Sequence, residues 1–281
     1  MVEPQVKAVE AARQVLIEIA RLLEDHGVSW VIIGGWAADL LPSKGFLSHR
    51  GTVDVDLVLD NRQVPGHNET TLMEALCSNG YRKGNQRFQY YRTVNTDIGP
   101  LDVKVDLLSP ETEENSVGGD YRTLQGVDTL TLKGGNLALA NAVETAIEGK
   151  LPDGEKVVVS VHVISNVSFL VLKSLALEGR REEKDPYDIY HRLKNYPDDL
   201  DKLANEFEPH LHVKLVREAL NNLAKCFSDL SSQGPKSVVN FIDPEEPEER
   251  NSLKRDSYER VNFLLEALGM RRIYLTTPWD D

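Results

Sequence analysis

The segment Val53-Asp54-Val55-Asp56-Leu57 constrains this chain more than any other. Strict alternation of apolar and acidic residues has the period of a β-strand, whose successive side chains point to opposite faces. Val55 and Leu57 then enter a core, while Asp54 and Asp56 stand side by side on the other face. Two adjacent carboxylates repel each other. A divalent cation offsets that repulsion, and Mg²⁺ is typically held by one or two carboxylates together with substrate phosphates. Taken alone, such an alternation is more often the solvated face of an edge strand.

A second alternation shifts the balance. In Leu101-Asp102-Val103-Lys104-Val105-Asp106-Leu107 the polar residues again share one face. If the two strands are neighbours, Asp106 completes a three-carboxylate cluster, as in two-metal chemistry with ions about 4 Å apart. Asp102 and Lys104 read as solvated residues of that face. Upstream, the apolar run Trp30–Ile33 leads into Gly34-Gly35 and a helix over Trp36–Leu41. Backbone N–H groups at such a turn can cradle a phosphate, and glycine allows its close approach. Most Gly-Gly pairs are only turns, so this feature gains weight from its neighbours.

The rest of the chain supplies a frame. A helix is expected over residues 8–26, ended by Gly27. Strands are expected over 88–94, 101–108 and 156–164, with helices over 70–78 and 136–147 and an extended segment over 124–132. From Asn166 the pattern becomes helical, over 166–180, 186–194, 198–206 and 212–229. Residues 231–252, rich in Pro, Gly, Ser and Glu, read as a mobile segment, followed by a last helix over 254–268. The expected architecture is therefore α/β (α+β). A catalytic domain over 1–165, with a mixed sheet flanked by helices, precedes a helical domain over 166–281.

Composition excludes several classes. A charge of −13, from 32 basic and 45 acidic residues, argues against a protein that coats nucleic acid by bulk charge, though not against a local basic groove. Cys77 and Cys226 have no CxxC or Cys/His spacing, which favours a reducing, cytoplasmic setting. The N-terminus lacks the apolar core of a signal peptide. The longest run free of Asp, Glu, Lys and Arg, Val157–Leu172, carries His, Asn and Ser and is too short to span a bilayer. The histidines show no zinc spacing, and no nucleophile elbow or P-loop is present.

In order, Ile33-Gly34-Gly35, Asp54-Val55-Asp56-Leu57 and Val105-Asp106-Leu107 resemble the nucleotidyltransferase superfamily of the polymerase-β type. The opening Gly34–Leu41 (GGWAADLL) is similar to aminoglycoside and lincosamide nucleotidyltransferases. The approach His49-Arg50-Gly51-Thr52-Val53-Asp54 is similar to the AbiEii toxin family. So is the later pattern Lys173…Ala176, Arg180-Arg181, Lys184-Asp185-Pro186-Tyr187-Asp188. Nineteen positions separate Gly35 from Asp54, more than is usual in the superfamily. Trp36 follows the glycines, so phosphate contact there would come from the backbone.

The resemblance implies transfer of a nucleoside monophosphate from an NTP to an acceptor hydroxyl. Asp54, Asp56 and Asp106 would hold Mg²⁺ or Mn²⁺, and Asp106 would also receive the hydroxyl proton. Gly34, Gly35 and Arg50 would contact the nucleotide, with Lys173, Arg180, Asp185 and Asp188 completing its site and Lys173 and Lys184 stabilising the departing pyrophosphate. From the residues alone, Asp185 reads as a helix N-cap before Pro186, and Lys184–Asp188 as an i,i+4 pair. The AbiEii resemblance points to an RNA acceptor, a tRNA end, in a toxin–antitoxin system with an antitoxin protein as partner. Lys173, Arg180, Arg181, Lys184, Arg192 and Lys194 would form a basic rim for it. The alternatives are an antibiotic nucleotidyltransferase and a catalytically silent binding module; no membrane partner is expected.

Overall fold

The structure is a computed structural model that describes residues 3–46, 52–60, 62, 70–112, 118–179 and 182–270. The chain divides into two compact units, Met1–Leu41 with Arg50–Ser165, and Pro42–His49 with Asn166–Asp281.

The first unit is a mixed sheet flanked by helices. Helix α1 (Glu3–Asp25) buries Ala12, Val15, Leu16, Ile19 and Leu23 against the sheet, and Gly27, at φ +62°, terminates it. Strand β1 (Trp30–Ile32) leads into α2 (Gly34–Leu40), so the helix starts at the glycine pair itself. Then follow β2 (Asp54–Leu59), α3 (Leu72–Ser78), β3 (Tyr81–Lys83), β4 (Gln89–Thr96) and β5 (Gly99–Pro110). Thr71 and Glu74 form a reciprocal capping box at the start of α3. The unit ends with β6 (Tyr121–Leu124), β7 (Val127–Leu132), α4 (Gly135–Ala140), β8 (Val143–Lys150) and β9 (Lys156–Val163).

The main strand order is β3-β4-β5-β2-β1-β9-β8, with β7 also on β5 and β6 on β7. Strand β2 lies between β1, which is antiparallel to it, and β5, which is parallel. Its position in mid-sheet is why Val55, Leu57, Val58 and Leu59 are fully buried.

Residues 143–150 correct the helix expected over 136–147. The periodicity of Leu137 to Ile147 suits either structure, but only Gly135–Ala140 is helical. Val143–Lys150 instead forms an eight-residue antiparallel ladder with Lys156–Val163. That partner lies further along the chain, so local periodicity could not reveal it.

The second unit is helical: α5 (Asn166–Gly179), α6 (Lys184–Asn195), α7 (Leu200–Phe207), a short 3-10 turn, α8 (Lys214–Cys226), α9 (Gln233–Ile242) and α10 (Pro247–Ala267). Most of the segment read as mobile, 231–252, is thus helix. Gly234 and Pro235 sit in the first turn of α9, where proline is tolerated, and Pro247 opens α10. Space also requires Gly234, because a Cβ there would meet the Phe227 ring at 2.6 Å.

Helix α6 is the core of this unit, packed by α5, α9 and α10. Residues 42–49 count with it as well. Arg192 Nη2 donates to the Pro42 carbonyl at 2.6 Å, the Lys44 N–H donates to the Asn195 carbonyl at 2.9 Å, and Lys44 Nζ donates to the Asp198 carbonyl at 2.6 Å. The unusually long spacing between Gly35 and Asp54 therefore contains a segment that packs with the helices. Among the described residues, no helix is long and apolar enough to cross a membrane.

Candidate active site

The parallel register of β2 and β5 builds the site. Asp54 lies across from Lys104 and Asp56 from Asp106, while Val55 and Leu57 pair with Val105 and Leu107. These four apolar residues are fully buried, so Asp54, Asp56, Lys104 and Asp106 share the opposite face. The structure thus brings the three predicted carboxylates onto one face of one strand pair.

The glycine turn is stitched to the same place. The Ile33 N–H donates to the Asp56 carbonyl at 3.0 Å. Gly34 has φ +67°, and a Cβ there would collide with the Asp56 carboxylate, so both backbone and space require glycine. A Cβ on Gly35 would meet Thr52 Oγ1 at 2.9 Å, and that hydroxyl donates to the Asp54 carbonyl at 3.2 Å.

Lys104 is the residue the sequence reading underrated. Its Nζ lies 3.2 Å from Asp54 Oδ2 and 3.2 Å from Asp106 Oδ2. Burial favours the neutral amine, but the charges of Asp106 and Asp54 outweigh it and raise the pKa above that of an ordinary lysine. Burial pushes the Asp106 carboxyl up; Lys104 opposes this without cancelling it. Asp106 Oδ1 is buried and takes no hydrogen bond among the described residues. The signal was present in the sequence, since Lys104 lies two residues before Asp106 on the same face. Asp102 does behave as a solvated residue, exposed and held by Arg82 and Thr93.

The helical unit treats its predicted residues differently. Lys173 is buried, with Nζ 2.9 Å from Asp185 Oδ1 and 2.6 Å from Asp188 Oδ2. Asp185 lies inside the first turn of α6 and reaches back to α5. The expected N-cap and the Lys184–Asp188 pair are thereby corrected: Glu183 holds the cap position without a side-chain bond, and Asp188 pairs with Lys173. Arg192 is fully buried, and burial pulls its pKa down to about 10. Lys194 binds Asp256 at 2.8 Å. Three cations of the expected rim are thus internal or paired, because a helix buried on all sides must satisfy its polar groups within the unit. Lys184 is half-buried at the start of α6 and forms no ion pair among the described residues. Arg50, Arg180 and Arg181 lie outside the described residues.

A cavity of about 700 Å³, lined by residues including Trp30, Asp60, Arg62 and His162, lies at the opposite ends of β1 and β2 from Asp54. Among the described residues, no three Asp, Glu, His or Cys side chains already converge as a metal site. Lys104 instead bridges two of the three carboxylates.

A mixed sheet with paired carboxylates beside a glycine turn, followed by a helical region, agrees with a nucleotidyltransferase, an enzyme that uses a nucleoside triphosphate. The family model of aminoglycoside-2''-adenylyltransferase matches residues 15–129, which include the glycine turn and all three aspartates. A solved structure, the CD-NTase CdnG of Bradyrhizobium diazoefficiens in complex with GTP, aligns over 98% of this chain and 90% of that one, with 13% identity and a TM-score of 0.27. No curated protein matches the chain.

Proposed function

We propose that this enzyme transfers a nucleoside monophosphate to a hydroxyl of a small, polycationic acceptor of the aminoglycoside type. The observation that carries the transfer reaction is the register of β2 and β5, which sets Asp54, Asp56 and Asp106 on one face beside Gly34. The residues fit a divalent ion: the donors are hard carboxylate oxygens, and Asp106 Oδ1 is buried and takes no hydrogen bond among the described residues. Asp54, Asp56 and Asp106 would hold Mg²⁺ or Mn²⁺, which when bound neutralises triphosphate charge and polarises the α-phosphorus.

The protein's own groups do the rest. Asp106 accepts the proton of the acceptor hydroxyl. The acceptor oxygen forms its bond to the α-phosphorus as the bond to pyrophosphate breaks. Backbone N–H groups at Gly34 and Gly35 orient the phosphates. The charge of −13 and the internal roles of Lys173, Arg192 and Lys194 support a cationic small acceptor over an RNA backbone.

The sequence resemblance alone carries a second reading, an RNA-modifying toxin of the AbiEii kind countered by an antitoxin. Lys173, Asp185 and Asp188, on which that resemblance rests, form one physical unit. The deciding experiment supplies each α-labelled NTP with Mg²⁺, using an aminoglycoside panel in one arm and total tRNA in the other. Label on a drug is the expected result. Label on tRNA alone selects the second reading, and label on neither refutes both and leaves a silent binding module.

A further inference from the structure

We propose that Lys104 is the resident counter-cation of the carboxylate cluster, holding Asp54 and Asp106 in the metal-free protein and releasing them when a divalent ion loads. The inference rests on the assignment of Asp54, Asp56 and Asp106 as the metal-holding residues, and it adds a competitor built into the same strand pair.

The geometry is that of a bridge between two carboxylates. The ammonium is equidistant, 3.2 Å from a carboxylate oxygen on each strand, where an ordinary salt bridge would favour one partner. The backbone fixes this placement: Lys104 is directly across from Asp54 and two residues before Asp106 on the same face. Its neighbour on the other side, Asp102, is held by Arg82 at 2.8 Å and by the Thr93 hydroxyl at 2.5 Å. Nothing there competes for the lysine.

The charges explain the need for such a residue. Three carboxylates on one face with no cation would carry −3 in a half-buried place, and Lys104 reduces that to −2. A divalent ion held by Asp54 and Asp106 would draw on the same two carboxylates whose charge the ammonium now offsets. The lysine side chain is partly exposed, and its flexible four-carbon stem allows the head to swing into water without moving the strand. Lys104 therefore sets how readily the free protein takes up metal.

The test measures binding of Mn²⁺ alone to the full chain, without nucleotide, by titration calorimetry and by the loss of the free-ion paramagnetic signal. The proteins are wild type, Lys104→Met, Lys104→Gln, Lys104→Arg and Asp56→Asn. Lys104→Met and Lys104→Gln are expected to bind at least tenfold more tightly than wild type. Lys104→Arg, which keeps the competing charge, is expected to stay within about threefold of it, and Asp56→Asn to bind more weakly. Two neutral variants guard against one that fails to fold, and a folding defect would weaken binding rather than tighten it. Equal or weaker binding by the neutral variants, with Asp56→Asn still impaired, overturns the proposal and leaves the metal assignment standing. Tightening by Lys104→Arg as large as that by Lys104→Met also overturns it, because charge would then not be the cause. Unchanged binding by Asp56→Asn removes the metal assignment itself, and the proposal with it.

Discussion

Replacing Lys173 by Met removes the ammonium that two buried carboxylates share. Asp185 is 1% exposed and Asp188 is 0% exposed, so neither can recover hydration in the folded state. Removing one partner from a buried ion pair costs about 3–5 kcal/mol, because the attraction that offset the desolvation of the remaining charge is lost. For a unit of roughly 100–150 residues, 1 kcal/mol moves Tm by about 3–5 °C, so the helical unit should melt roughly 10–20 °C lower. Met fills much the same volume, so little of this loss comes from a cavity. Calorimetry on the full chain reads the loss. The triple variant Lys173→Met, Asp185→Asn, Asp188→Asn removes both carboxylate charges and should recover more than half of the loss, a coupling that a mutant cycle isolates. A fall in Tm of less than about 3 °C for Lys173→Met, or a triple variant no better than the single one, would refute the account of Lys173 as an internal counter-ion.

Two further outcomes are expected. Gly34→Ala should reduce kcat/KM for the nucleotide by at least tenfold, because the new Cβ would displace the Asp56 carboxylate and strain a residue at φ +67°; unchanged kinetics would mean the turn does not support that carboxylate. Asp256 carries the pH prediction. Burial pushes its carboxyl up, but hydrogen bonds from Lys194 and Tyr190 and the charges of Arg260 and Lys194 bring it below the ordinary value. A carboxylate with a depressed folded pKa stabilises above its unfolded pKa of about 3.9, and that contribution disappears as pH falls through the folded value. The stability gap between wild type and Asp256→Asn, from urea melts, should therefore be full at pH 7 and close below about pH 4; a gap independent of pH would contradict the pairing.

The carboxylate face was legible because a strand has a period of two. Nothing more was needed to put Asp54 with Asp56, or Lys104 with Asp106. That β2 and β5 are neighbours required the further assumption of a shared sheet, which rested on resemblance. Where two periods fit equally, sequence failed: Leu137 to Ile147 suits a helix, and the ladder of Val143–Lys150 on β9 decides otherwise. Composition failed at 231–252 for a related reason. Gly234 and Pro235 punctuate loops in general, yet here they occupy a first turn against Phe227. Lys104 was discounted because a lysine among aspartates on a strand face is usually solvated. Only the register, which places it between two carboxylates, distinguishes the cases.

The motif around Lys173 and Asp188 makes a different point about resemblance. Helix α6 is polar in sequence yet buried on nearly all sides. Burying such a helix favours internal partners for most of its polar groups, although Arg192 Nε and Nη1 take none among the described residues. Lys173 serves Asp185 and Asp188; Asp256 serves Tyr190 and Lys194; the Asn195 amide lies 2.9 Å from His191; and the carbonyls of Pro42 and Asn195 serve Arg192. A pattern read as a phosphate-contacting surface is thus accounted for, apart from Lys184 and the undescribed arginines, by the internal requirements of one helical core. Residues under that constraint would persist in any relative that keeps the core, whatever its acceptor. The pattern therefore points to a helical unit of a given build, and the choice between a small cationic acceptor and an RNA end falls to groups that face solvent. This is why the labelled-acceptor experiment, rather than closer inspection of Lys173 to Asp188, decides between them.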